Sequence, residues 1–338
     1  MQKKFLLIRT DRIGDAISIL PAVSILRKNF PSAHIAVFCA EYTADIFRTH
    51  HDIDEVIVKT NFKDNLREIK ARKFDVAIHF FLNAYVAWLT FLARIPVRIG
   101  PVSKIWAILL NKRIKQQRSK VLKHEADFNN ELLKPLFVYY HPAVPKIYVL
   151  KKDDLKAKNY LEEKFSIGKK DILIMLHPGS KGSAKNWSAD NYAALAGRIM
   201  SVYPSVKVMV TGGPAEQQLL EYILTKTAPY TPFILTESLK LSAFIALINQ
   251  CKIFISNSTG PLHIATALGK RTVSFYPNIK GCLPQRWGPY GKGHIVLKPE
   301  EGEPKLMKDC SDEHMDGITV DMAFEAFEKQ FKMLDRLS

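Results

Sequence analysis

Phe5-Leu6-Leu7-Ile8-Arg9-Thr10-Asp11-Arg12-Ile13-Gly14-Asp15 opens the chain with a short apolar run, a polar turn holding one glycine, and a carboxylate where a helix begins. A continuous apolar run of this length suits a strand buried on both faces, as in parallel sheets. A helix over Gly14–Asn29, with Pro21 inside its pattern, follows. The alternation then repeats: strands at 34–38, 55–58 and 76–80 are separated by helices at 44–50, 66–72 and 85–92. It restarts downstream, with strands at 172–176, 207–211, 233–235, 253–256 and 272–275 and helices at 190–201, 216–227, 241–249 and 261–268. Strand–helix alternation of this kind implies parallel sheets covered on both faces. The fold class read from it is α/β, with two Rossmann-like halves in tandem and a hinge in the Lys-rich stretch Leu150–Lys170. No internal repeat or low-complexity tract is visible.

The chain has 338 residues, 47% hydrophobic and 24% charged, which excludes a disordered, collagenous or disulfide-stapled protein. Its 49 Lys+Arg against 33 Asp+Glu leave a net charge of +16. Such an excess speaks of anionic partners: nucleic acid, a membrane face or phosphorylated substrates. Residues 1–150 carry 24 Lys+Arg against 13 Asp+Glu, a net +11, so the first half meets whatever is anionic. From Lys104 to Lys123 there are seven basic residues (Lys104, Lys112, Arg113, Lys115, Arg118, Lys120, Lys123) and no acid, with Trp106 and Leu109 among them. Basic charge beside exposed apolar groups suits an anionic interface; a solvated helix with a buried stripe is the competing reading.

Cys39, Cys251, Cys282 and Cys310 form no CxxC pair, and sparse cysteine favours a reducing compartment. The first fifteen residues lack the apolar core of a signal peptide. Val76–Ala93 carries no formal charge over 18 residues, close to the ~20 that span a bilayer. It reads instead as a buried strand followed by a helix that Asn83 opens and Pro96 closes.

Four loops stand at strand-to-helix junctions, where doubly wound sheets hold ligands. In the first, Arg9 to Asp15, the carboxylate of Asp15 is either a base or a helix cap. The second runs from His177-Pro178-Gly179-Ser180 to Lys185-Asn186-Trp187; its small residues, Ser180 among them, and its lysines suit an anion. The third, Thr211-Gly212-Gly213-Pro214-Ala215-Glu216, offers a carboxylate to a ribose diol or to a helix start. The fourth, Ser256-Asn257-Ser258-Thr259-Gly260-Pro261-Leu262-His263, begins a helix with Pro261 in its first turn, an arrangement that suits a phosphate.

These loops, with Leu20-Pro21-Ala22 near the start and Arg286-Trp287-Gly288-Pro289-Tyr290-Gly291 near the end, resemble glycosyltransferase family 9, the ADP-heptose:lipopolysaccharide heptosyltransferases. The resemblance spans nearly the whole chain. It implies a GT-B architecture of two Rossmann-like domains facing a central cleft: residues 1–155 for the acceptor, residues 165–318 for the nucleotide-sugar donor, and a C-terminal helix, 320–338, packing back on the first domain. By the same resemblance Asp15 is the general base, Lys185 and the Thr259-Gly260 amides hold the diphosphate, Glu216 contacts the ribose and Leu239 lies near the adenine. The implied activity is inverting transfer of a heptose or related sugar from an ADP-sugar to a lipopolysaccharide core or related glycan. The enzyme would then be cytoplasmic and peripheral at the inner face of the cytoplasmic membrane. No divalent metal or other cofactor is implied, and nucleic acid is not an expected partner.

Two departures stand out. Many family members carry Asp where this chain has Ser258, which leaves the sugar open. Relatives often carry several cysteines before the last helix, where this chain has Cys310 alone and His314-Met315. A GT-B nucleotide-sugar epimerase and a basic nucleic-acid-binding protein are the alternative functions.

Overall fold

The computed structural model describes residues 2–180, 182, 185–299, 304, 315 and 317–334. Cys310 and His314, singled out above, and Lys181, the other lysine of the loop after His177, lie outside the described residues. The chain divides into two compact units, Met1–Tyr148 and Val149–Ser338. The second unit therefore begins ahead of the Lys-rich helix Lys151–Phe165 rather than within it.

In the first unit six parallel strands, β1 (Lys4–Arg9), β2 (His34–Cys39), β3 (Glu55–Val58), β4 (Val76–His79), β5 (Val97–Pro101) and β6 (Lys112–Ile114), take the order β3-β2-β1-β4-β5-β6. The second unit repeats that order with β7 (Ile172–His177), β8 (Val206–Thr211), β9 (Phe233–Leu235), β10 (Ile253–Asn257), β11 (Arg271–Phe275) and β12 (His294–Leu297), arranged β9-β8-β7-β10-β11-β12. Each half is thus a doubly wound sheet with a switch point between its first and fourth strands, where the crevice for a ligand opens at the carboxyl ends. The register is set by apolar runs with no exposed face. Phe5 lies between Ile35 and Val76, Ile255 between Leu176 and Val273, and all six are buried.

Several elements differ from the sequence reading. The helix expected over Gly14–Asn29 is two helices, Ile13–Ser18 and Leu20–Asn29. Pro21 stands in the first turn of the second, where its missing N–H costs nothing. The basic segment is no helix. It forms a 3-10 turn at Ile105–Leu109, the edge strand β6 and a second short turn at Arg118–Lys120. Trp106 and Leu109 pack against the first core, so the apolar groups exposed beside the lysines are Ile105 and Ile108 instead.

The C-terminal helix, Val320–Lys332, was expected on the first domain; its apolar face is used on the second sheet. Ala323, Phe324, Ala326 and Phe327 complete the core between helix Ala189–Val202 and β11. Its polar groups follow the same docking. Tyr203 Oη donates to Glu328 at 2.7 Å, and Gln330 Nε2 donates to the Thr272 carbonyl at 3.0 Å. Among the described residues no helix is long and apolar enough to cross a membrane. Val76–Ala93 resolves into β4 and the helix Ala84–Leu92, which Asn83 caps by accepting from the Val86 amide.

Candidate active site

At the switch point of the first sheet β1 ends on Arg9, whose side chain is 3% exposed. Its guanidinium donates to the Phe80 carbonyl at 3.0 Å, just past the end of β4, and so adds a side-chain tie where the pairing of β1 with β4 ends. Its remaining donors face acids. Nε lies 2.7 Å from Asp11 Oδ1, Nη2 donates to Asp15 Oδ1, and Nη1 lies 3.9 Å from Glu125 Oε1. Glu125, 1% exposed, is also paired with Arg118. Three carboxylates thus share two cations in a half-closed space. Burial pushes Asp11 up to about 6 against the pull of Arg9, and pushes Asp15 up against the same cation.

Asp15 is not the cap of its helix. The extended residue before that helix is Arg12, which offers no side-chain cap, and Asp15 stands in the first turn with its carboxylate committed to Arg9. Oδ2 takes no hydrogen bond among the described residues, and the side chain keeps 16% exposure. One oxygen is held while the other faces outward, as suits a positioned base. Arg118 belongs by sequence to the basic run, but its bond to Glu125 makes it part of this buried network and brings one end of the basic segment to the carboxyl edge.

In the second unit the other three of those loops, and the one after β9, stand along one sheet edge. Reading across β9-β8-β7-β10, the loop after β9 carries Leu239, half-buried. The loop after β8 carries Glu216, the loop after β7 carries buried Ser180 and half-buried Lys185, and β10 runs into Ser258, Thr259 and Gly260. Glu216 ends a short 3-10 turn, Pro214–Glu216, and does not lie inside the longer helix. Its Oε2 accepts from the Gly213 amide at 2.8 Å. The carboxylate then leans across the neighbouring loop, so closely that a Cβ on Gly179 would sit 1.8 Å from Glu216 Oε1. Gly179 is glycine for that contact.

The helix Gly260–Ala267 starts without a side-chain cap. Thr259 Oγ1 is instead 3.0 Å from Ser256 Oγ, so the first-turn amides and their partial positive charge remain for an anion. Ser258, which stands where many relatives carry Asp, shares a hydrogen bond with the Tyr276 phenol. That phenol also donates to the Trp287 carbonyl at 2.7 Å.

Asn257 is the residue whose role the sequence reading missed. Fully buried at the end of β10, it donates to the Pro178 carbonyl at 2.7 Å and accepts from the Trp187 amide at 2.9 Å. Both ends of the loop that carries Ser180 and Lys185 are therefore fixed to the strand that precedes Thr259. Among the described residues no three His, Cys, Asp or Glu side chains form a metal-binding group.

The family model of glycosyltransferase family 9 (heptosyltransferase) matches residues 64–316. The chain belongs to glycosyltransferase family 9. It is 30% identical over 318 residues to a protein of Haemophilus influenzae named provisionally as a glycosyltransferase, covering 90% of this chain and 92% of that one. Among solved structures it resembles the family 9 glycosyl transferase of Veillonella parvula, with a TM-score of 0.87, 22% identity and 98% of each chain covered. It also resembles the Escherichia coli ADP-heptose lipopolysaccharide heptosyltransferase II, with a TM-score of 0.79, 19% identity, and 98% of this chain and 99% of that one covered. The chain is accordingly a glycosyltransferase, and each of its two α/β units has the parallel Rossmann-like sheet of the GT-B heptosyltransferases.

Proposed function

We propose that this glycosyltransferase moves a heptose, or a closely related sugar, with inversion from an ADP-sugar to a phosphate-bearing, lipid-linked glycan of the lipopolysaccharide core type. The observation that carries the donor half of this reading is the order of groups along the second sheet edge. Apolar Leu239, the Glu216 carboxylate, cationic Lys185 and the uncapped helix start at Thr259-Gly260 stand on successive strands. An adenine, a ribose diol and a diphosphate ask for those chemistries in that sequence. In the transfer, Asp15 takes the proton of the acceptor hydroxyl as that oxygen attacks the anomeric carbon from the face opposite the diphosphate. The bond from that carbon to the diphosphate oxygen breaks, and the charge gathering on the leaving ADP is met by Lys185 and the helix amides. Because a lysine and a helix start take that charge, the scheme requires no divalent ion. Lys185→Ala should weaken ADP binding by ~1.5–3 kcal/mol, the scale of one charged hydrogen bond, about ten- to a hundredfold in Kd. Calorimetry with ADP in a chelating buffer checks both points; equal affinity of variant and wild type would remove Lys185 from the site.

Glu216 offers a second test. Gly179→Ala obliges its carboxylate to swing away, so this variant and Glu216→Gln should lose ADP affinity alike, by about tenfold. ADP bound by Gly179→Ala as well as by wild type would mean that the carboxylate serves only the Gly213 turn.

The acceptor half rests on charge. Lys104, Lys112, Arg113 and Lys115 are exposed and form no ion pair among the described residues. We assign them to the phosphates of the acceptor and to the inner face of the cytoplasmic membrane, with the enzyme cytoplasmic and peripheral and no role for nucleic acid. Neutralising Lys112, Arg113 and Lys115 together should raise the apparent KM for a lipid-linked acceptor severalfold at low salt, and little once the Debye length falls well below ~8 Å. ADP binding should not change. A KM unmoved at low salt would leave these residues as solvated surface.

A further inference from the structure

Helix Ala84–Leu92 (Ala-Tyr-Val-Ala-Trp-Leu-Thr-Phe-Leu) has no polar face. Val86, Ala87, Leu89 and Thr90 fill the first core, yet Trp88, Phe91 and Leu92 on the other side are each 42% exposed. A helix apolar all round is ordinarily covered all round. The 3-10 turn Ile105–Leu109 packs beside it and adds Ile105, 81% exposed, and Ile108, 71% exposed. Arg98 joins the two elements: its guanidinium lies 5.5 Å from the Phe91 ring and its Nε donates to the Leu109 carbonyl at 2.8 Å. Isolated apolar side chains on a surface are ordinary, whereas five large ones on adjoining elements mark an interaction site. Exposed Arg94, Lys104, Lys112 and Arg113 flank these elements in sequence and strand order, and none has an acid partner among the described residues.

We propose that Trp88, Phe91, Leu92, Ile105 and Ile108 form a shallow membrane-insertion face, seated in an anionic bilayer by the rim of Lys104, Lys112 and Arg113. Charge selects the occupant. A second copy docking through the same face would set this rim against its own like charges, in a chain of net +16. An anionic lipid surface instead takes the apolar side chains among its acyl chains and the cations among its headgroups. Of the uncharged stretch Val76–Ala93, only the exposed helix side with Trp88, Phe91 and Leu92 enters that interface, the rest being core. The helix begins at Asn83, at the carboxyl edge of the sheet, and runs away from it, so the inserting side chains lie off the Asp15 network. The inference deepens the reading of a lipid-linked acceptor, and vesicles without acceptor test it separately.

Trp88 is a built-in reporter, and Trp88→Phe identifies its share of the emission. Vesicles of phosphatidylglycerol and phosphatidylcholine should shift Trp88 emission to the blue, and brominated lipids should quench it; phosphatidylcholine alone should do neither. Phe91→Ser/Ile105→Ser should keep the wild-type melt and partition to the anionic vesicles at least about tenfold more weakly, since burying each apolar side chain is worth roughly a factor of ten. Wild-type partitioning by the double variant, or Trp88 emission indifferent to phosphatidylglycerol, overturns the proposal. So does sedimentation showing self-association of the wild type that the double variant loses, because the face would then belong to a second copy. Vesicle binding as described, together with failure to transfer sugar from any ADP-sugar to a lipid-linked glycan, supports the insertion face while removing the transfer reading.

Discussion

Asp15→Asn should lose transfer by about 10² or more, the scale of a missing general base, while binding ADP as wild type does. The substitution is nearly isosteric. Its amide oxygen still accepts from Arg9, and Arg9 keeps Asp11 and Glu125 as anionic partners, so the buried cation is not stranded and the fold survives. What disappears is an oxygen able to take a proton. The wild-type pH profile carries a second signature. Burial raises both Asp15 and its neighbour Asp11, the latter to about 6, and the two share Arg9, so they titrate as a pair. The other charged or titratable groups facing Asp15 are Glu125, Arg12 and Tyr42. A base works deprotonated, so kcat/KM should fall as pH falls through this raised pair, well above the range of an ordinary carboxylate. Transfer by Asp15→Asn at the wild-type rate would reduce Asp15 to a partner of Arg9.

How far the sequence revealed this arrangement depended on burial. Strands β1, β2, β4, β7, β8 and β10 are covered on both sides and read as plain apolar runs. The strands missed were β5, β6 and β12, and their side chains are of another kind. β6 is a three-residue edge strand bearing Lys112 and Arg113, and charge on an edge strand both discourages pairing with other chains and hides the strand from a hydrophobic pattern. Trp106 and Leu109 turn inward together because side chains three apart eclipse in a 3-10 turn, which leaves Ile105 and Ile108 outward; five residues are too few for that period to be read from the sequence. At the first site, Asp15 was legible as a carboxylate at a helix start, but spacing could not say where it points. That direction is set by Arg9, and the third acid around Arg9, Glu125, comes from 116 residues downstream in sequence, beyond any local pattern. Asn257 was visible within its motif, but its role as the tie between two loops needs β7 and β10 to be neighbours.

Arg9→Met should be the most damaging single change to stability, at about 3–5 kcal/mol near neutral pH, because it leaves buried acids without their shared cation. Marginal domains hold only about 5–15 kcal/mol, so the loss is a large part of the total. Methionine fills similar space, and the cavity contribution is small beside the electrostatic one. Asp11 and Asp15 would then face Glu125 with only Arg118, paired to Glu125, and Arg12, beside Asp15, to offset three carboxylates. The sign of the pH dependence separates this cause from lost packing. In the wild type Asp11 already binds its proton more tightly folded, at about 6, than at its ordinary 3.8. The folded state therefore holds the extra proton between those values, and the stability it brings is complete below the lower one and lost as pH rises through the upper. Removing Arg9 takes away the attraction that lowers both Asp11 and Asp15, so the window extends upward and the variant gains more than the wild type on acidification. Denaturant unfolding at about pH 7.5 and about pH 5 should show the gap between variant and wild type narrowing at the lower pH. A gap of equal size at both would assign the loss to packing. Arg9→Lys should recover part of the stability at neutral pH, since a point charge restores neutralisation but cannot reach the Phe80 carbonyl, Asp11 and Asp15 in the planar fork that guanidinium provides.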